Sequence, residues 1–186
     1  MQAFPSSLAG SLFVAVMWLA VAALGLAPAR NAFFARRIAF PLGALAGVAL
    51  AAFGLQAVWM PAQTLTLPLG LPDLPFHVRV DPLAGFFLML LGSVAAGISV
   101  YAGGYFREEP SRRLALISCQ YHVFLASMAF VLLADDAYLF MVAWETMALS
   151  SYFLVITDHK QELRAQGGGR VRQRHHREAH PSPRTV

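Results

Sequence analysis

The sequence predicts an all-α integral membrane bundle of about five transmembrane helices, and three observations carry that prediction. Of the 186 residues, 58% are hydrophobic and 13% charged, with a mean hydropathy of +0.57, a balance that soluble domains do not sustain. The apolar residues gather into five runs, each near the ~20 residues needed to cross a ~30 Å hydrocarbon core. Basic residues cluster in alternate connections between those runs, as they do when a chain threads back and forth through a bilayer.

The first run, 7–27, lacks the small-residue cleavage pattern of a secretory signal and is followed by further spans, so it reads as an uncleaved helix. The second, 38–60, contains "GALAG", Gly43 to Gly47, a small-xxx-small match that alanine-rich helices supply freely; it is assigned no functional weight. Next comes "QTLTLPLGLPDLPFHVRVDP", which alternates on both sides of a Pro/Gly cluster, with Leu65, Leu67 and Leu69 before it and Phe76, Val78 and Val80 after it. That pattern predicts a small outer β-hairpin. Asp81 and Pro82 then read as N-cap and first residue of the third helix, 83–105. The fourth and fifth helices, 114–134 and 137–157, are joined by "ADDA", too short to allow anything but antiparallel neighbours, with Asp135 and Asp136 at the outer face.

Arg30, Arg36 and Arg37 lie in the first connection, Arg107, Arg112 and Arg113 in the third, and Lys160 and Arg164 after the fifth helix; the second connection carries only Arg79 and the fourth none. This places the N-terminus outside and the tail in the cytoplasm, in a multi-pass protein of a bacterial or archaeal-type inner (cell) membrane. Residues 1–160 form the transmembrane domain and 161–186 a basic, disordered tail. Up to residue 157, seven Arg balance seven Asp or Glu, so the net charge of +4 comes from the last 29 residues, with six Arg and one Lys against three acids. The pI of 9.7 is therefore no sign of a nucleic-acid partner; the expected partners are the lipid bilayer and other membrane subunits. The tail, with its three consecutive glycines and its Arg, Ala, Pro and His, also reads as an out-of-frame stretch of GC-rich coding sequence, which would make the chain a truncated product.

A single cysteine, Cys119, leaves no disulfide framework, zinc ribbon or iron-sulfur cluster to build within the chain. Phosphate-binding loops, dinucleotide-binding glycines and nucleophile elbows are also absent from the sequence. No cofactor, metal or catalytic residue is expected. The residue that calls for explanation is Glu145, in "MVAWETMALSSYFLVIT". An ionised acid at a helix centre costs about 2.5 to 3.5 kcal/mol on insertion scales, so it needs a partner, a hydrated path or a proton. A proton-path acid and a protonated, hydrogen-bonded structural acid are both consistent with the residues. Tyr138 and Tyr152 sit seven residues either side of Glu145 and share its helix face, where interfacial anchoring explains them equally well. His122 is the other mid-span titratable group; counting from the Asp135–Asp136 turn puts it ~6 Å deeper than Glu145, close enough to be bridged by water if the two face each other.

"RVDPLAGFFLMLLGSVAAGISVYAGGYFREE" and "FLASMAFVLLADDAYLFMVAWETMALSSYFLVITDHK" together resemble the antiporter-like membrane subunits of respiratory complex I (NADH:quinone oxidoreductase) and of membrane-bound hydrogenases. Within that group the likeness is greatest to the antiporter-like subunit of hydrogenase-4, the relative of the formate hydrogenlyase membrane subunit, and it covers roughly residues 78 to 160. The resemblance implies a fold of about fourteen helices with two inverted five-helix repeats. It also implies that Glu145 is the helix-five glutamate, paired in the family with a lysine on a later helix. Lys160, the only lysine here, lies outside the spans. The expectation is thus the N-terminal part of a proton-translocating, antiporter-like subunit, non-catalytic within an oxidoreductase complex, truncated and not transport-competent alone. Glu145 is its proton-path residue, with His122, Tyr138 and Tyr152 as lesser candidates. The competing reading is a membrane scaffold that contacts partner subunits and moves no ions.

Overall fold

The computed structural model describes residues 6–25, 34–71, 74–106 and 111–157. Five helices in it are long and apolar enough to span a membrane. They are α1 (Ser7–Gly25), α2 (Phe40–Val58), α3 (Pro82–Tyr105), α4 (Ser111–Leu133) and α5 (Ala137–Thr157), with a two-stranded antiparallel sheet, β1 (Gln63–Leu71) and β2 (Leu74–Val80), between α2 and α3. The expected tail, 161–186, lies outside the described residues.

Helix α2 is entered through a π-helical turn, Ala35–Ala39, so the helical segment starts earlier than its apolar run, and it ends at Val58, leaving Trp59 83% exposed. Between lipid-facing helices no hydrophobic force drives association, and close van der Waals contact must hold them together. The α2–α3 pair meets that demand with small residues. Gly47, Leu50 and Gly54 of α2 face Gly85, Leu88 and Gly92 of α3, in alternating steps of three and four that keep one seam in register. A Cβ on Gly47 would stand 2.7 Å from both the Gly92 oxygen and the Ala96 nitrogen, so the two backbones touch there. The "GALAG" match is therefore a packing motif, with Gly47 as its seam residue.

The hairpin closes one end of the bundle. Thr64 pairs with Arg79, Leu65 with Val78, Thr66 with His77 and Leu67 with Phe76, after which the register shifts and Gly70, at φ 115°, opposes Pro75. The shift falls at Pro68, which has no N–H for a regular ladder, and only glycine takes the positive φ without strain. On β2 the expected alternation holds: Val78 and Val80 are buried while His77 and Arg79 face out. On β1 it holds in part, because Leu67 is half-buried but Leu65 and Leu69 are exposed. Asp81 caps α3 as its position before Pro82 predicts, its Oδ1 accepting the Ala84 N–H at 2.8 Å.

Helix α4 stops at Leu133, one residue short of the expected boundary, because Ala134 bridges to Val78 and the Asp135 N–H donates to the His77 carbonyl at 3.0 Å. The Asp135–Asp136 turn is thus joined to β2. Burial pushes the Asp136 carboxyl up, but the Leu139 and His77 N–H groups, the His77 ring and the Tyr138 N–H outweigh it and hold the acid below the usual carboxylate range.

The seam between α2 and α3 can be tested by overpacking. Gly92→Val drives methyls into the α2 backbone and should cost about 1–3 kcal/mol, whereas Gly97→Ala, with nothing within 4 Å, should be neutral or stabilise by up to about 1 kcal/mol. Equilibrium unfolding in mixed micelles, followed by circular dichroism, reads both; equal stability of the two variants would rule the contact out as a determinant.

Candidate functional site

Helix α5 carries Glu145. It contains neither Gly nor Pro, and its first turn is capped by Asp136, whose Oδ1 accepts the Leu139 N–H at 2.7 Å. Leu139, Ala143 and Ser150 form its buried face, at helical spacing. Tyr138, Glu145 and Tyr152 lie together on the opposite, exposed face, among Trp144, Leu149 and Phe153. The tyrosine–glutamate stripe expected from the sequence is therefore present, on a surface that the other four helices leave uncovered. Of the five spans, α5 is the least covered. A carboxyl on an apolar helix face within a bilayer is stable only when another group, water or a proton compensates it.

His122 sits in a different environment. It is fully buried on α4, with its Nδ1 donating to the Ser118 carbonyl at 2.7 Å. The adjacent Tyr121 reaches α3, where its hydroxyl and Ser99 Oγ share a hydrogen bond of 2.9 Å and the same hydroxyl donates to the Ala95 carbonyl at 3.2 Å. Gly43 of α2 makes room for the imidazole: a Cβ there would lie 2.8 Å from His122 Nε2 and 3.1 Å from Ser99 Oγ. Phe40 closes the group, its ring centroid 6.3 Å from that of His122. Nε2 faces the Ala39 carbonyl without a well-formed hydrogen bond.

The structure does not bring His122 and Glu145 together. One points into the α2–α3–α4 core and the other away from the bundle. Their depths also differ by more than the turn count implies, because Thr157 Oγ1 donates to Gln120 Oε1 at 3.4 Å. That pairing sets His122 level with the last turns of α5, on the order of 12–15 Å from Glu145 along the axis rather than ~6 Å. A single water does not span that distance.

Sequence reading missed Ser99 and Tyr121, and with them a cavity of about 370 Å³ lined by Phe40, Tyr101, Tyr105, Phe106, Tyr121 and Leu154, among others. Tyr121 belongs both to this apolar cavity and to the polar group around His122. The available signal was a tyrosine next to a mid-span histidine, which periodicity alone does not assign to a face. Among the described residues no three His, Cys, Asp or Glu side chains gather as metal ligands would.

No family model matches the chain. Sequence comparison finds NADH-quinone oxidoreductase subunit L of Mycobacterium tuberculosis, 34% identical over an alignment of 154 positions that covers 74% of this chain and 24% of that one. Hydrogenase-4 component B of Escherichia coli (strain K12) is 35% identical over 79 residues, 42% of this chain and 12% of its own. These homologues, with their complex I chain 5 relatives, are antiporter-like subunits. An uncharacterized Mycobacterium tuberculosis protein also matches, 34% identical over 122 residues, 65% of this chain and 19% of that protein. The chain thus spans about a fifth to a quarter of the length of these first antiporter-like and uncharacterized relatives. The resemblance read from the third to fifth helices is borne out by these homologues, as is a multi-pass membrane protein by the five spans.

The two environments respond differently to conservative substitution. Tyr121→Phe leaves Ser99 Oγ and the Ala95 carbonyl without the hydroxyl and should cost about 1–3 kcal/mol. Glu145→Gln, on an exposed face, should stay within about 0.5 kcal/mol. The same micelle unfolding measurement orders them, and a Glu145→Gln cost equal to that of Tyr121→Phe would contradict the placement of the acid on an uncovered face.

Proposed function

We propose that the chain provides the N-terminal helices of a proton-translocating, antiporter-like subunit of a membrane-bound hydrogenase or NADH:quinone oxidoreductase-type complex. Glu145 is its proton-path acid, and the chain does not transport ions by itself. The observation that carries this reading is the position of Glu145: an acid at mid-span, on the least covered helix, facing away from the bundle, in a chain whose homologues are subunits of such complexes. An acid so placed is suited to a charge partner from outside these five helices. The spans themselves hold no lysine. Tyr138 and Tyr152 extend the polar line along α5. His122, remote from that line, serves in this reading as a buried packing group of α4, bonded within its own helix and seated against Gly43 and Phe40 of α2.

The arginine-rich connections support an N-terminus and hairpin outside and a tail in the cytoplasm, across a bacterial or archaeal-type inner membrane. Other membrane subunits of the complex are the expected neighbours on the α5 face.

Three measurements test this reading. Liposomes containing only this chain should show the proton flux of empty liposomes, whereas in the assembled complex Glu145→Gln should lower proton translocation at least ten-fold. Flux by the chain alone that disappears in Glu145→Gln would overturn its dependence on partners; unchanged translocation by the complex would leave the scaffold reading instead. For topology, Ser6→Cys and Ser182→Cys, each in a Cys119→Ser background, should react with an impermeant thiol reagent from opposite sides. Reaction from one side would refute the five-span orientation.

A further inference from the structure

Five aromatic rings form a continuous arc at the end of the bundle opposite the hairpin. Tyr101 stacks on Tyr105 at 5.4 Å, Tyr105 meets Phe106 edge-on at 5.0 Å, Phe106 stacks on Phe40 at 6.1 Å, and Phe40 tilts toward Tyr121 at 6.2 Å. The arc walls the cavity of about 370 Å³, which Ile117 and the last turn of α5, with Leu154 and Val155, help to close. That volume falls within the about 300–1,000 Å³ of small-molecule sites. Among the described residues no charged side chain lines the cavity. It opens sideways toward lipid, because Ile98, Tyr101, Tyr105 and Val155 on its rim are 46% to 66% exposed.

The chemistry changes just beyond this cavity, where α2 and α4 both begin. Arg37 stands three residues before Phe40 and Arg113 four residues before Ile117, so each arginine lies one turn from a cavity wall. Side chains incline toward the N-terminus of their helix, which favours guanidinium groups that reach out of the apolar layer to headgroup depth. Arg37 is exposed and has no ion-pair partner among the described residues. Neither helical segment has an acid in its first turn, and the partial positive charge of each N-terminus adds to that of the arginines. The two connections at this end carry six arginines against two glutamates, Glu108 and Glu109.

We propose that this cavity is a phospholipid site, in which one acyl chain lies against the aromatic arc and an anionic headgroup is held by Arg37 and Arg113. The interior suits a hydrocarbon chain and not a polar ring such as a quinone. A ring carbonyl there would need a donor, and the buried hydroxyl among the lining residues, that of Tyr121, is committed to Ser99 and the Ala95 carbonyl. An acyl chain needs no donor. The basic end in turn favours a headgroup with net negative charge over a zwitterion, by about five-fold for each arginine engaged.

A phosphatidylglycerol with a diazirine midway along one acyl chain, photolysed with the full chain in phosphatidylcholine nanodiscs, tests the site. The label should map to Ile98, Ala102 and Leu154. Unlabelled phosphatidylglycerol should suppress labelling with a preference over phosphatidylcholine of about 5- to 25-fold, for one or two arginines engaged, and Arg37→Gln should lower that preference about five-fold. Ala102→Phe fills the cavity from α3 and should abolish labelling of Leu154; Ile98→Trp blocks the rim and should do the same without touching a buried position. Circular dichroism checks that each variant remains helical. Label spread evenly over lipid-facing residues such as Val94 and Phe153, equal competition by the two lipids, or labelling that survives both blocking variants would overturn the proposal. So would suppression by a short-chain ubiquinone at a lower mole fraction than phosphatidylglycerol, which would make the cavity a quinone site. The lipid site does not rest on the function proposed above: none of these readouts involves ion flux, so each reading can fail while the other stands.

Discussion

The arrangement of the core depends on the direct contact between the backbones of α2 and α3. In hydrocarbon, apolar side chains gain little by leaving lipid for one another, so helices hold together where atoms fit closely over a long seam. Glycine at Gly47, Gly54, Gly85 and Gly92 provides that fit. Helix α3 has little contact with α4 apart from the Tyr121 hydroxyl, which reaches Ser99 and the Ala95 carbonyl. The position of those acceptors is inherited from the way α3 sits on α2. The room for His122 is inherited too, because it is the missing side chain of Gly43 that admits the ring.

This division of labour explains why two titratable residues in neighbouring helices have such different surroundings. His122 lies where three helices converge, and a buried polar ring there must be hydrogen-bonded or incur a desolvation cost; one nitrogen finds the Ser118 carbonyl within its own helix. Glu145 lies on the helix with least tertiary contact, so nothing in the bundle fixes its side chain. Rigid burial suits a structural group, and an open face suits a residue completed by a neighbouring protein. The cavity walled by Tyr101, Tyr105 and Tyr121 lies in the gap that remains because α3 leans on α2 and not on α4.

Much of the fold was legible from residue pattern, for physical reasons specific to each element. Apolar runs of membrane length have no other stable conformation in lipid, since a helix satisfies its own backbone groups. Alternation and the Pro/Gly cluster marked the hairpin, and Asp81–Pro82 marked the start of α3. Helix ends were less legible where a tertiary contact sets them: Ala134 leaves α4 to bridge Val78, a pairing across 56 positions that no local pattern encodes. The site was readable in one dimension only. The shared face of Tyr138, Glu145 and Tyr152 follows from helical geometry, but whether that face points inward depends on neighbours. A count of residues from a turn likewise misjudged the depth of His122, because it assumes two helices of equal pitch leaving the turn at one level, and the Thr157–Gln120 contact shows that they do not.

Helix α3 is long for a span. Its 24 residues reach ~36 Å at 1.5 Å per residue, against a hydrocarbon core of ~30 Å. A helix of that length is accommodated by tilting or by stretching the surrounding lipid. Since α3 is locked to α2 along its glycine seam, the pair must lean as a unit. Tilt of α3 is therefore tilt of α2 as well, and the aromatic cavity beside α3 is bounded by a pair of helices and not by one.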